Sequence, residues 1–234
     1  MSGKNRTFAV SSRFTDMQTI KHLSRCYLAL LLLLAPLMPL RGQGADYNML
    51  CSLQQQRTPA LDGVFTWTSN SLVLAPAVPV SLLASGWMAD NNDLIRSGAE
   101  TGFAFLFACG VTEGLKLTVR RPRPFLAYPD DLQPVRTPRG FSFPSGHTSL
   151  SFAVATSVSL CYPKWYVVAP AMLWAAGVGF SRLYLGVHYP TDVLTGALVG
   201  AGSALLSHYL FRRLRDDSPV PTGKAFVVPV TIVF

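Results

Sequence analysis

The sequence predicts an all-α fold, a bundle of helices that crosses a membrane several times. Three observations predict it. Half of the 234 residues are hydrophobic and only 14% are charged, against about 25% charged in a soluble domain. The deficit is gathered into discrete apolar segments rather than spread along the chain. Polar stretches separate these segments, and one of them is a long loop dense in proline. The length allows one compact bundle and no second large domain.

The N-terminal 26 residues are polar and basic, with Lys4, Arg6, Arg13, Lys21 and Arg25 against the single acid Asp16. An apolar run over 27–40 follows, then the small residues Gly42, Gly44 and Ala45. The run is shorter than the roughly 20 residues a helix needs to cross a bilayer. A basic start, a short apolar core and small residues together describe a secretory signal peptide. Five further apolar segments, over 69–88, 97–119, 147–161, 166–180 and 193–211, predict five spans after its removal, or six if it is retained. The third and fourth are short and must borrow interfacial residues such as Trp165 and Tyr166. Gly196 and Gly200, four apart in the last segment, predict close helix packing.

Residues 120–144 carry Pro122, Pro124, Pro129, Pro134, Pro138 and Pro144. Proline fixes φ and removes an N–H, so this loop is expected to be irregular. Its length exceeds what a simple connection needs, a mark of binding loops. Residues after Arg215 form a polar tail with an apolar end over 225–234.

The net charge is +8, from 20 Lys and Arg against 12 Asp and Glu. No basic run with interleaved aromatics suggests nucleic acid. Cys26, Cys51, Cys109 and Cys161 lack metal-ligand spacing and read as apolar filler. His22 and His208 read as interfacial or packing residues, and Asp130 and Asp131 as a solvated turn. Glu100 and Glu113 fall in the second span, where a carboxyl group needs a polar partner. Glu113 is placed to meet Lys116 one turn on. Arg120 and Arg121 read as lipid-headgroup or outer phosphate contacts, and Arg136 and Arg139 as loop charges.

Three clusters stand out. Lys116 is followed after six residues by Arg123-Pro124; Pro144-Ser145-Gly146-His147 opens the third span; and Ser181-Arg182 precedes His188 and Asp192 between the fourth and fifth spans. Alternation of the spans brings all three to one membrane face. Their chemistry is that of phosphoryl transfer. Lys116, Arg123 and Arg182 can neutralise phosphate oxygens. Ser145 and Gly146 sit where a helix begins, with backbone N–H groups expected to point at an anion. His188 can attack phosphorus while Asp192, four residues on, holds its other ring nitrogen. His147 can protonate the departing oxygen.

This pattern resembles the type 2 phosphatidic acid phosphatase family, which shares its site with vanadium haloperoxidases and bacterial acid phosphatases. All eleven fixed positions of K-x6-RP, PSGH and SR-x5-H-x3-D are present in order, from Lys116 to Asp192. The resemblance implies a catalytic set of His188 as nucleophile, His147 as acid and Asp192 as orienting group. It implies phosphate binding by Lys116, Arg123, Ser145, Gly146 and Arg182, with no metal and no cofactor. The expected division is 1–45 signal peptide or anchor, 46–215 membrane phosphatase domain and 216–234 tail. Arg212, Arg213 and Arg215 directly after the last span place the C-terminus in the cytoplasm by the positive-inside rule. The site then faces outward from a bacterial inner membrane, toward the periplasm. The expected partners are the bilayer and a phosphorylated lipid: lipid A phosphate or undecaprenyl diphosphate first, then phosphatidylglycerol phosphate or phosphatidate. The rival readings are a vanadate-dependent haloperoxidase and a non-catalytic lipid or anion carrier.

Overall fold

The computed structural model describes residues 43–217. The expected signal peptide lies outside the described residues, apart from its last three positions, as does the tail beyond Asp217. All regular structure among the described residues is helical. In chain order the helices are α1 (Gln43–Gln55), α2 (Pro59–Asn70), a 3₁₀ turn (Ser71–Leu74), α3 (Ala77–Met88), α4 (Asn92–Val119), the single turn α5 (Pro124–Ala127), α6 (Gly146–Cys161), α7 (Trp165–Tyr184) and α8 (Pro190–Asp217). The expected boundary between residues 45 and 46 falls inside α1.

Local chemistry sets several of these ends. Thr58 caps α2 by accepting from Leu61 N–H, and Pro59 occupies the first helical position, where its missing N–H costs nothing. The Asn91 side chain accepts from the N–H groups of Asp93 and Leu94 and starts α4. Arg120 ends α4 in the left-handed region, at φ 50°. The prolines that follow keep the chain from resuming a long helix, so 120–145 holds only the one turn α5.

Among the described residues, four helical stretches are long and apolar enough to cross a membrane: Pro59–Met88, Asn92–Ala127, Trp165–Tyr184 and Pro190–Leu214. The protein is therefore a multi-pass membrane protein. The first stretch begins ten residues before the apolar window 69–88 and is broken at the 3₁₀ turn and Pro76. Large apolar side chains point away from the bundle, including Trp67, Val73, Leu106, Leu117 and Leu173. Such a surface suits hydrocarbon rather than water. Trp87 and Trp165 stand 81% exposed at the ends of α3 and α7, as interfacial aromatics do.

The short helix α6 is the exception. It packs against α4, α7 and α8, and its inward positions are Thr148, Ser149, Ser151, Ala153, Val154, Ala155 and Ser157, all buried. Small side chains let backbones approach closely. The approach of α8 is the tightest. A Cβ on Gly196 would stand 2.7 Å from the Ser145 carbonyl, and one on Gly200 would collide with the Ser149 carbonyl. Glycine is required at both places because the obstacle is backbone and cannot move aside.

The helices alternate in direction, so the ends of α4, α6, α7 and α8 that carry the three sequence clusters meet at one end of the bundle. At the opposite end His208 Nδ1 lies 2.7 Å from Glu100 Oε1, and Cys161 Sγ donates to the same oxygen at 3.4 Å. Glu100 thus has the polar partner its position demands. His208, expected to be a packing residue, is that partner, because an unpaired buried carboxylate is costly.

Candidate active site

His188 lies in the five-residue turn between α7 and α8 and is 2% exposed. Gly186 makes the turn possible with φ +71°. Arg123 Nη1 donates to His188 Nε2 at 3.2 Å and to the Val187 carbonyl at 3.0 Å. The rest of the Arg123 guanidinium is held by the carbonyls of Gly140 (3.0 Å from Nε) and Arg139 (3.2 Å from Nη2). The loop therefore fixes this cation through its own backbone. Arg136 and Arg139 keep exposed side chains, as expected of loop charges.

Behind the imidazole, Asp192 sits fully buried in the first turn of α8. Its Oδ2 lies 3.5 Å from His188 Nδ1 and accepts from the Ser142 hydroxyl and, at 2.9 Å, from Tyr189 N–H. Its Oδ1 accepts from Arg121 Nη1 at 2.8 Å. Ser142 Oγ is also 3.4 Å from His188 Nδ1. An acceptor behind Nδ1 places the ring proton there and leaves the Nε2 lone pair directed at Arg123. Burial pushes the His188 pKa down to about 4, against the upward pull of Asp192, and the charges of Arg182 and Arg123 push it down further. The ring is neutral at neutral pH.

His147 is half-buried in the first turn of α6 and lies near enough to Arg182, His188, Lys116 and Arg123 to feel the charge of each. Arg182 is 7% exposed; its Nη1 donates to Ser69 Oγ on α2, and its Nε has no hydrogen-bond partner among the described residues. Lys116 pairs with Glu113 at 2.9 Å, as the spacing predicts, and a Cβ on Gly146 would stand 3.3 Å from Lys116 Nζ. Gly146 thus lets the ammonium lie against the start of α6.

One expectation needs correction. The Ser145 N–H is not free for an anion: it donates to the Asp192 carbonyl at 3.0 Å, and Ser145 Oγ accepts from Thr148 Oγ1 at 2.9 Å. Ser145 is the N-cap of α6, and this bond ties the starts of α6 and α8 together. The first N–H groups inside the helix, from Gly146 and His147, have no acceptor within it and remain the donors for an anion.

Three participants have no counterpart in the sequence expectations: Ser142 beside Asp192, Ser69 beside Arg182, and Asp46 of α1. Arg121, expected at a lipid headgroup or outer phosphate contact, is instead buried between two carboxylates, 2.9 Å from Asp46 Oδ2 as well as 2.8 Å from Asp192 Oδ1. Only Ser142 carried a local signal, a lone hydroxyl between Phe141 and Phe143 just before the Pro144-Ser145-Gly146-His147 run.

The profile of the PAP2 superfamily matches residues 98–216, half of the chain, and the span includes every residue of the three clusters. The chain belongs to this superfamily. Lipid A 4'-phosphatase of Bacteroides thetaiotaomicron is 40% identical over 86 residues, 35% of this chain and 38% of that protein. Decaprenylphosphoryl-5-phosphoribose phosphatase of Mycolicibacterium smegmatis is 41% identical over 117 residues, 50% of this chain and 61% of that protein. The chain thus spans less than two thirds of either relative. Among solved structures, a transmembrane PAP2-type phosphatidylglycerolphosphate phosphatase from Bacillus subtilis superposes with a TM-score of 0.66 at 25% identity, covering 82% of this chain and 94% of that one. LpxE of Aquifex aeolicus superposes with a TM-score of 0.57 at 28% identity, covering 68% and 92%.

Proposed function

We propose that this protein is a membrane lipid phosphatase that works through a phosphohistidine on His188. The observation that carries the reading is the setting of His188: Nε2 is held against Arg123, Nδ1 is backed by Asp192, and Lys116, Arg182 and His147 converge on the same space. Phosphate enters between the three cations, and one of its oxygens takes the Arg123 N–H now bonded to Nε2. The freed lone pair attacks phosphorus. The bond to the lipid oxygen breaks, and His147, which takes up a proton once the negative charge of the bound phosphate offsets the surrounding cations, gives that oxygen its proton. Water then attacks the phosphohistidine, His147 takes the water proton, and inorganic phosphate leaves with His188 restored. Ring positive charge grows in the first step, and Asp192 stabilises it through Nδ1–H. Lys116, Arg123 and Arg182 supply the charge that the transferring phosphoryl group needs, so no step calls for a metal.

A cleft of about 500 Å³ supports a lipid substrate. It is lined by Ser69, Asn70, Leu72, Val73, Pro76, Phe105 and Leu150, and it reaches His147. The side chain that would protonate the leaving group therefore opens toward apolar walls. Lipid A phosphate or undecaprenyl diphosphate are the favoured substrates, with phosphatidylglycerol phosphate or phosphatidate behind them; the named activities of the relatives include the first three. With α6 counted as the short fifth span and Arg212, Arg213 and Arg215 at the far end, the site faces the periplasm from the inner membrane.

The test is phosphate release by purified protein from a panel of these four lipids, with a chelator present throughout. Release from at least one, blocked by orthovanadate, supports the reading, because vanadate can adopt the five-coordinate geometry of the reaction. Loss of release on chelation, restored by a divalent ion, contradicts the metal-free mechanism.

A further inference from the structure

We infer that Asp46 on α1 is a positioning residue for the catalytic pair, acting through Arg121 on Asp192. The inference rests on the proposed phosphatase chemistry and extends the working site to a helix that precedes the family-matched residues 98–216.

Asp46, Arg121 and Asp192 form a continuous buried chain, with 4%, 8% and 0% of their surfaces exposed. Arg121 spans the gap, with Nη2 on Asp46 Oδ2 at 2.9 Å and Nη1 on Asp192 Oδ1 at 2.8 Å. Thr191, next to Asp192, ties the same groups a second time. Its hydroxyl donates to Asp46 Oδ2 at 2.6 Å and accepts from Arg121 Nη1 at 2.7 Å, and its N–H donates to Asp46 Oδ1 at 3.3 Å. The guanidinium also lies 3.7 Å over the Tyr189 ring. One cation is thus divided between two carboxylates, and only one of them touches His188.

That division has a chemical consequence. With Asp46 present, half of the Arg121 fork is turned away from Asp192, and Asp192 keeps charge to offer Nδ1. Without the Asp46 charge, Arg121 is free to satisfy itself on Asp192 alone. The carboxylate then stabilises the imidazole less as positive charge builds during attack. The charges facing His188 would otherwise be unchanged: Asp192 on α8, Arg123 from the loop, Arg182 on α7, and Lys116 and His147 across the site from α4 and α6.

The test compares Asp46→Asn, Asp46→Glu and Leu50→Ala in the full-length protein, measuring kcat, KM and the pH profile of kcat/KM. Groups that orient metal ligands from behind are typically worth about 10–100-fold, and a loss of that order is expected for a group that orients a reacting histidine. Asp46→Asn should lower kcat by about that factor with KM held, and move the acid limb of kcat/KM to lower pH, because one negative charge near His188 is gone. Asp46→Glu, which keeps the charge, should recover most of the loss. Leu50 is fully buried on the same helix against Leu132, Leu183 and Tyr189. Leu50→Ala should lower the melting temperature and leave the acid limb in place. If Asp46→Asn retains the normal kcat and acid limb, or loses activity only in step with its folded fraction as Leu50→Ala does, the inference is overturned. Absence of phosphatase activity in the unmodified protein would overturn the functional reading along with it.

Discussion

The two site histidines occupy opposite kinds of surroundings. His188 is sealed in, with one ring nitrogen against Arg123 and the other facing Asp192 and Ser142. His147 is half-buried and forms part of the wall of an apolar cleft. A nucleophile gains from being fixed and dry, since attack depends on alignment and on a neutral ring. A general acid must meet leaving groups of whatever shape the substrate brings, and His147 borders the cleft proposed for the lipid. The asymmetry distinguishes the roles more clearly than the residue types do, because both side chains are imidazoles amid the same cations.

The largest effect that bears on this contrast is removal of the nucleophile. His188→Ala should lower turnover by about 10⁴-fold or more with every substrate, since no other group on the site forms the covalent bond. Turnover near the normal rate would end the comparison. His147→Ala should instead depend on the leaving group. The loss should be about 10²–10⁴-fold with a lipid alkoxide, and far smaller with an aryl phosphate, whose oxygen departs without a proton. Equal losses on both would mean that His147 holds phosphate rather than moving a proton.

The pH profile sharpens the contrast further. As the proposed nucleophile, His188 attacks only as the neutral ring, and burial pushes its pKa down to about 4. The acid limb of kcat/KM should therefore appear near pH 4, and at pH 5 the protein should keep about 30-fold more activity than a histidine of ordinary pKa 6.5 would allow. An acid limb near 6.5 that does not move between substrates of different phosphate pKa would show a solvated nucleophile. The smallest effect belongs to Ser142→Ala. It removes one hydrogen bond to a buried carboxylate that does not itself react; with about 1.4 kcal/mol of it expressed in the transition state, a kcat reduction of about 10-fold is expected, with KM unchanged.

The sequence announces the groups to which we assign the chemistry and conceals most of those that hold them. Lys116, Arg123, His147, Arg182, His188 and Asp192 are legible because each type suits phosphate chemistry and the alternation of spans brings them to one face. Gly196 and Gly200 are legible as packing residues because a four-residue spacing repeats one helix face. Arg121 is not: its neighbours Asp46 and Asp192 lie 75 and 71 residues away in the chain, and no periodicity relates them. The same holds for Ser69 and Arg182, 113 residues apart. Hydropathy also averages over local breaks, so the apolar window 69–88 gives no sign of the turn at Ser71–Leu74 or of the helix beginning at Pro59. The window 147–161 looks like any short span, although Thr148, Ser149, Ser151 and Ser157 place α6 among other helices rather than against lipid.

The central claim is that phosphate passes through His188, and trapping the intermediate tests it most directly. Protein mixed with a labelled lipid phosphate is quenched without acid, because a phosphorus–nitrogen bond to histidine hydrolyses at low pH, and the labelled peptide is then mapped. The account predicts label on the peptide that carries His188, lost in His188→Ala and retained in His147→Ala when an aryl phosphate is the donor. Label on His147, or no label in protein that turns over at its normal rate, would contradict it.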